Sequence, residues 1–500
     1  MTIRVVGGGL AGPEAALTAA RLGCDVVLYE MRRLVDGKPR LTPAHQTTDF
    51  GELVCSNSLK SESEWSAPWL LKQEMRRGAS ALLQLADESA VAAGHALAVD
   101  RVEFSRRITE AIEAEPRIRV IREEVTCLGD SPVRDQDGTK CQNEDGTKRH
   151  CTIVATGPLT SAALSSEIER LSGSGHLAFY DSISPIVDAD SIDMNRVYFA
   201  ARWGKGTADY INCPMDRVEY DCFFDALVAA EAAESREWEN LDYFEGCLPI
   251  EVLAARGRDT LRFGPMKPVG LRDPRTGKMP WAVVQLRKEN LRADSYNLVG
   301  FQNHLKFGEQ ARVLRLIPGL ENARFLRYGQ IHRNTYICAP ALLDECLRLS
   351  PHIDAATSNS CHPERGRGGD RVEGPAFTAS RGTIFFAGQL CGVEGYTESI
   401  ATGLLAGIYA AAIDRGEEPV PVPRATALGS LVHYITHADA KNFQPANITF
   451  DLLEPLDEET RRKVRDKKER HRIQCERALA AFAGWMNAGI RAAIESERVP

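Results

Sequence analysis

Gly7-Gly8-Gly9-Leu10-Ala11-Gly12 is the stretch of this chain whose residue types and spacing point most directly to chemistry. It follows a short apolar run, Thr2 to Val6, and opens a small-residue segment suited to a helix. In such a strand–turn–helix unit Gly7 permits the tight turn, Gly9 lets the backbone approach a pyrophosphate, and Gly12 lets helix and strand pack closely. The helix N-terminus then offers N–H groups and a partial positive charge to phosphates. A second apolar run, Val26 to Tyr29, ends at Glu30. That acid stands close to the ~20 residues past the glycines at which a carboxylate accepts from a ribose hydroxyl. The pattern predicts dinucleotide binding, and by itself it does not separate FAD from NAD.

Three later stretches carry candidate groups. Cys55 is followed at once by Ser56-Asn57-Ser58, residues that favour turns and helix caps. A thiol before a helix N-terminus has a lowered pKa, which makes Cys55 a candidate thiolate. Cys151 to Val154 reads as a strand entering the turn Ala155-Thr156-Gly157-Pro158, placed to return the chain beside a flavin nucleotide. Thr383 to Gly388 is a last buried strand. It runs through Glu394-Gly395-Tyr396 into an Ala/Gly-rich helix from Ile400 to Ile413. With Gly388, Glu394 and Gly395 this forms a second backbone clamp, able to hold the flavin end of FAD. Tyr396 is either a ring that stacks on a pterin or uracil, or a core tyrosine.

The elements that must position these groups fit an α/β chain of two or three domains. The chain has 500 residues, 43 % of them hydrophobic, with a formal charge of −8. No global field draws it onto nucleic acid, so any RNA contact needs a local basic face. No apolar run reaches the ~18 residues that span a bilayer, and the N-terminus opens directly in a strand, so a cytoplasmic protein is expected. The 13 cysteines include no C-x-x-C pair, and no metal site is expected. Residues 1–190 and 331–485 read as two parts of a Rossmann-like nucleotide-binding domain, and 191–330 as an inserted α+β domain. In the insert, Val197-Tyr198-Phe199 and Tyr220 to Phe224 read as aromatic β-type runs, and Trp281 to Arg287 as a strand. Residues 68–93 read as helical, with Leu70, Leu71, Met75, Leu82 and Leu85 on the apolar side, and 119–128 as β-like. Residues 34–40 read as a loop, 131–150 as a hairpin tip or surface insertion, and 351–374 as a mobile loop. The Lys/Arg run from Arg461 to Arg472 is either a solvated helix face or part of an RNA face.

Several longer motifs carry a resemblance. Glu30-Met31-Arg32, Thr42-Pro43-Ala44-His45, Glu52 to Ser58, Glu245 to Glu251, Ile317 to Glu321, His332 to Thr335 and Gly392 to Tyr396 resemble the folate- and FAD-dependent tRNA (uracil-5-)-methyltransferases. The similarity runs from residue 1 to about 485. It implies a two-dinucleotide-type flavoprotein that uses FAD, 5,10-methylenetetrahydrofolate and NAD(P)H to methylate C5 of a uridine in the tRNA T loop. Uracil C5 becomes nucleophilic only after addition at C6, which suits a thiolate, and a base must then remove the C5 proton. By the motif positions, the resemblance implies Cys247 as the attacking thiolate. It implies Cys55 as the partner that takes the proton or guards the flavin adduct; the exchange of the two roles stays open. Arg256, Arg258, Lys267, Arg287 and Lys306 are candidates for phosphates of tRNA or the folate tail. Pro13, Gly51 and Cys391 depart from the residues the family more often carries. The alternatives are the same chemistry on ribosomal RNA, a flavin-dependent thiol oxidoreductase cycling Cys55 and Cys247, and a non-enzymatic flavin-containing RNA-binding protein.

Overall fold

A computed structural model describes residues 2–42, 44–128, 151–172, 177–182, 184–204, 207–232, 248–329, 331–350 and 382–496. The expected features at 131–150 and 351–374 lie outside these residues, as does Cys247.

The chain opens as strand β1 (Thr2–Val6), helix α1 (Ala11–Arg21) and strand β2 (Asp25–Tyr29). Strands β3 (Ile118–Ile121), β4 (Cys151–Val154) and β5 (Thr383–Phe386) complete a five-stranded parallel sheet in the order β5-β4-β1-β2-β3. The central strands are almost wholly apolar because helices cover both faces of such a sheet. Helix α2 (Tyr396–Asp414) lies against α1 with backbone nearly touching backbone. A Cβ on Gly403 would stand 2.4 Å from the Ala11 carbonyl oxygen, and one on Gly407 2.7 Å from that of Ala15. The Ala/Gly composition of this helix is therefore a packing requirement. No helix among the described residues is long and apolar enough to cross a membrane.

A second, antiparallel sheet of six strands runs from Ile186 to Arg327, with its own core around Val284, Leu286, Phe223 and Phe301. The strand Leu177–Ser182 entering it pairs antiparallel with Ile331–Tyr336 leaving it, so the chain enters and exits through a two-stranded ribbon. Side chains also tie the six-stranded sheet to a small three-stranded one formed by Ser58–Ser61, Ala96–Val99 and Ala90–Val91. The buried Asn57 amide donates to the carbonyls of Val99 (2.9 Å) and Lys288 (2.8 Å), and Arg101 pairs with Glu289 at 2.6 Å.

Some local expectations change. Tyr220 to Phe224 is not a strand: it lies in the helix Arg217–Val228, started by a capping box between Asp216 and Glu219. Tyr220, Phe223, Phe224 and Leu227 fall at helical spacing on its buried side. Residues 68–93 form two helices, Ala67–Arg77 and Ala81–Glu88, separated where Ala79 takes a left-handed φ of 54°. The loop at 34–40 contains a small hairpin, Arg33–Val35 with Lys38–Arg40, and the β-like run after 119 stops at Ile121. The basic run near the C-terminus lies on the helices Glu458–Lys463 and Lys467–Ser496. Arg462, Lys463 and Arg472 pair there with glutamates one turn away, as on a solvated face.

Two buried carboxylates join distant helices. Glu14 of α1 accepts from the Ala81 and Leu82 amides at 3.2 and 2.8 Å. Glu74 accepts from those of Ala427 and Leu428 at 2.8 and 2.9 Å, which open the helix Ala427–His437. Burial raises their pKa values to about 7 and about 8 respectively, only partly offset by the amide hydrogen bonds.

Candidate active site

At the C-terminal ends of the parallel strands, where open α/β sheets bind ligands, lies a cleft of about 400 Å³. It is lined by Gly7 to Ala11 after β1, Glu30 to Arg32 after β2, Thr156 and Gly157 after β4, and Gly388 after β5. Glu394, Gly395 and Tyr396 at the start of α2, Cys55, Lys60 and Gln302 close it. Gly12 sits behind this surface.

The three glycines do different work. Gly7 has φ +115°, and a Cβ there would meet the Ala155 carbonyl oxygen at 2.4 Å. A Cβ on Gly12 would be 1.8 Å from the Gly7 oxygen, so any side chain would push α1 off its strand. A Cβ on Gly9 would meet nothing within 4 Å, so this backbone faces the open cleft. No side chain caps α1, which leaves its first-turn amides for a ligand. These features suit the pyrophosphate of a dinucleotide such as FAD.

Glu30 is 5 % exposed and accepts from the Gly8 amide (2.7 Å) and from the backbone N–H (2.8 Å) and Nε (3.0 Å) of Arg32. Burial works against its charge, but Arg32 outweighs burial, so the carboxyl titrates below its ordinary value and stays ionised. Arg32, itself buried, also donates to the Gly8 carbonyl (3.2 Å) and reaches Glu52 Oε2 (3.4 Å). Glu52 in turn accepts from the amides of Gln46 and Thr47. Sequence reasoning passed over Arg32 as a site residue; its signal is a cation two positions past the acid at a strand tip.

The segment bearing Cys55 departs from expectation. Ser56 to Ser58 caps no helix but leads into the strand Ser58–Ser61, so no helix dipole acts on the thiol. Its charged neighbours are Arg101 and Arg327, each within electrostatic reach of both Cys55 and Tyr396. Arg101 is held by the Leu53 carbonyl at 2.8 Å, and Arg327, from the second sheet, donates to the Ala44 carbonyl at 3.1 Å. The Tyr396 hydroxyl accepts from the amides of Cys55 (2.8 Å) and Ser56 (3.2 Å). Burial, then the neighbouring Cys55, hold its phenol well above the ordinary value, so it stays protonated. Lys60, at a left-handed φ of 65°, ties the strand Ser58–Ser61 to the start of α2 through Glu398 (2.5 Å) and the Glu394 carbonyl (3.3 Å). Cys391 donates its S–H to the Gly388 carbonyl at 3.0 Å.

Of the motif around Cys247, Leu248 onward is described. The Ile250 amide donates to the carbonyl of Gln302, a cleft residue, at 2.8 Å, and Glu251 accepts from the His304 amide at 2.9 Å. The basic candidates lie elsewhere. Arg258 pairs with Asp221 and Asp225, Lys306 pairs with Glu231, Arg287 is buried, Arg256 and Lys267 are exposed, and none lines the cleft.

Comparison with known proteins agrees with this fold. The family model for glucose inhibited division protein A matches residues 2–353 and 377–418. The chain is 62 % identical over 97 % of its length, and 98 % of the relative's, to a Koribacter versatilis protein named methylenetetrahydrofolate--tRNA-(uracil-5-)-methyltransferase TrmFO. A Solibacter usitatus protein of the same name is 56 % identical over 97 % of this chain and 99 % of its own, and one from Bacillus cytotoxicus 46 % over the same shares. Among solved structures, Aquifex aeolicus GidA in its form II crystal superposes with a TM-score of 0.62 at 17 % identity, over 97 % of this chain and 73 % of that one. The sequence identity over nearly the full length of both chains places this one in the family of methylenetetrahydrofolate--tRNA-(uracil-5-)-methyltransferases, to which it belongs.

Proposed function

We propose that this chain transfers a one-carbon unit from 5,10-methylenetetrahydrofolate to C5 of a tRNA uridine, forming 5-methyluridine, in the cleft at the C-terminal ends of its parallel sheet. Bound there and reduced by NAD(P)H, FAD supplies the one-carbon carrier and the reducing equivalents. Gly7 to Gly12 and the first turn of α1 hold its pyrophosphate. Glu30, whose lone pairs are already met by Gly8 and Arg32, would accept from a ribose hydroxyl in place of the longest of these contacts, Arg32 Nη2 at 3.4 Å. Thr156, Gly157, Gly388, Glu394 and Gly395 flank the flavin end.

The Cys247 thiolate adds to C6 of the uracil, which makes C5 nucleophilic. Cys55 takes the C5 proton once the carbon is transferred, and the Cys247 thiolate then leaves C6. Tyr396 fixes the backbone that carries Cys55. The uridine is in the T loop, and the enzyme works in the cytoplasm, where tRNA is modified.

The observation that carries this reading is the meeting in one cleft of the glycine turn, Cys55 and Tyr396, with the Cys247 motif tethered to the same cleft through Ile250 and Gln302. The test is incubation of FAD-loaded protein with unmodified tRNA, methylenetetrahydrofolate and NADPH, followed by nucleoside mass spectrometry. 5-Methyluridine in the T loop, lost in Cys247→Ala, is the expected result. Methylation of ribosomal RNA alone overturns the substrate. Dehydrogenase activity without methylation favours a thiol oxidoreductase, and RNA binding without turnover favours a scaffold.

A further inference from the structure

Away from the cleft, His433 and His437 occupy one face of the helix Ala427–His437, four residues apart, with ring centroids 4.3 Å apart and planes at 21°. Opposite them stands Glu345, in the turn after the short helix Ala339–Leu342. One ligand atom from each of the three lies within 4.8 Å of the others. The turn is braced. Asp344 accepts from the amides of Cys346 (2.9 Å) and Arg348 (3.0 Å) and from the Arg348 side chain (2.8 Å). Leu347 within it holds a left-handed φ of 62°.

The tautomer of His437 follows from its neighbours. The Thr436 hydroxyl donates to the Val432 carbonyl at 2.8 Å, so its proton is engaged. At 2.9 Å from His437 Nδ1, that oxygen is then the acceptor of an Nδ1–H. The other ring nitrogen, Nε2, lies 3.6 Å from Glu345 Oε1. An imidazole with one nitrogen held by a hydrogen bond and the other open to an ion is the arrangement that metal-ligating histidines adopt.

We propose that Glu345, His433 and His437 bind one divalent transition-metal ion of the zinc class. Two imidazoles and a carboxylate form a three-ligand tetrahedral set with water in the fourth position. Bonds of about 2.1 Å bring such ligand atoms to about 3.4 Å from one another. The exposed side chain of Glu345 (54 %) is able to swing by that difference while His437 stays anchored at Nδ1. None of the three lines the cleft, so the ion acts as a staple between the 344–348 turn and the last turns of the helix.

The test uses full-length, FAD-loaded protein, stripped with a chelator and kept reduced by a phosphine. It is titrated with Zn²⁺ by calorimetry and with Co²⁺ by visible absorption. One equivalent binds the wild type, with Co²⁺ d–d bands and no thiolate charge-transfer band. Thr436→Val, which removes only the hydroxyl that orients His437, weakens that equivalent about tenfold. The double change His433→Gln/His437→Gln abolishes it while flavin content and the metal-free melting temperature stay unchanged. Retention of the equivalent in the double variant, a thiolate band pointing to cysteines, or no uptake at micromolar metal overturns the assignment.

Discussion

Tyr396→Phe removes one oxygen and leaves the ring. That oxygen accepts from the amides of Cys55 and Ser56 at 2.8 and 3.2 Å. An amide deprived of its acceptor costs about 1–3 kcal/mol when buried. Cys55 and Ser56 are half-buried, so water recovers part of this, and about 1–2 kcal/mol remains for the loosened segment. Spent on holding Cys55 in its reactive position, that corresponds to roughly a 5- to 30-fold fall in the single-turnover rate of methyl transfer. The ring still fills its place beside the cleft, so FAD content and melting temperature should stay near wild type. The assay is single-turnover formation of 5-methyluridine on tRNA, run beside the rate of Cys55 alkylation by iodoacetamide in a Cys247→Ala background. Both rates should change in Tyr396→Phe. If the methylation rate and the alkylation rate both match wild type, Tyr396 does not position Cys55 and the reasoning fails.

Three further substitutions test the frame around the site. Gly12→Ala places a Cβ 1.8 Å from the Gly7 oxygen, an overpacking of about 1–3 kcal/mol, and should lower both the melting temperature and the flavin-to-protein ratio. Gly9→Ala meets no protein atom within 4 Å. It should keep the wild-type melting temperature of the flavin-free protein while FAD affinity falls at least tenfold, measured by fluorescence quenching. Glu74 has a folded pKa of about 8 against 4.5 for a free carboxyl. Between those values the native chain keeps a proton that the unfolded chain has released, so its stability declines as pH rises from about 4.5 to 8. Glu74→Gln removes the titration but turns an NH2 toward one of the two amides, so its melting temperature should start below that of the wild type at pH 5 and stay flat where the wild type's declines. Parallel curves from pH 5 to 9 would contradict the assignment.

The nucleotide half of the cleft was legible because backbone geometry demands particular residues there. A turn at positive φ, a helix pressed onto its strand and an open approach each require glycine, and Gly7, Gly12 and Gly9 meet those needs in order. Side-chain networks were less legible. Arg32, Glu52, Arg101 and Arg327 meet across separations that no local pattern encodes. Tyr220 to Phe224 misled because an aromatic run satisfies β preference and helical spacing equally, and the capping box just before it decided the matter. Cys55 misled for a related reason: cap-type residues also start strands, and Asn57 was needed to tie two sheets together.

The parallel sheet pairs β4, ending at Val154, with β5, beginning at Thr383, and α1 rests on a helix that starts at Tyr396. On the ribosome the glycine turn is therefore made long before β5 and α2, which complete its surroundings. At roughly 5–20 residues per second, the chain between β4 and β5 takes on the order of 10–45 s to appear. Throughout that time the edge of β4 has no β5 to pair with, while the antiparallel sheet, whose last strand ends at Arg327, is complete before β5 is made and is able to fold first. Capture of FAD is thus a late event in the life of each molecule. Chaperone dependence and sensitivity to slow translation should concentrate in the amino-terminal third, the part that waits longest for its partner.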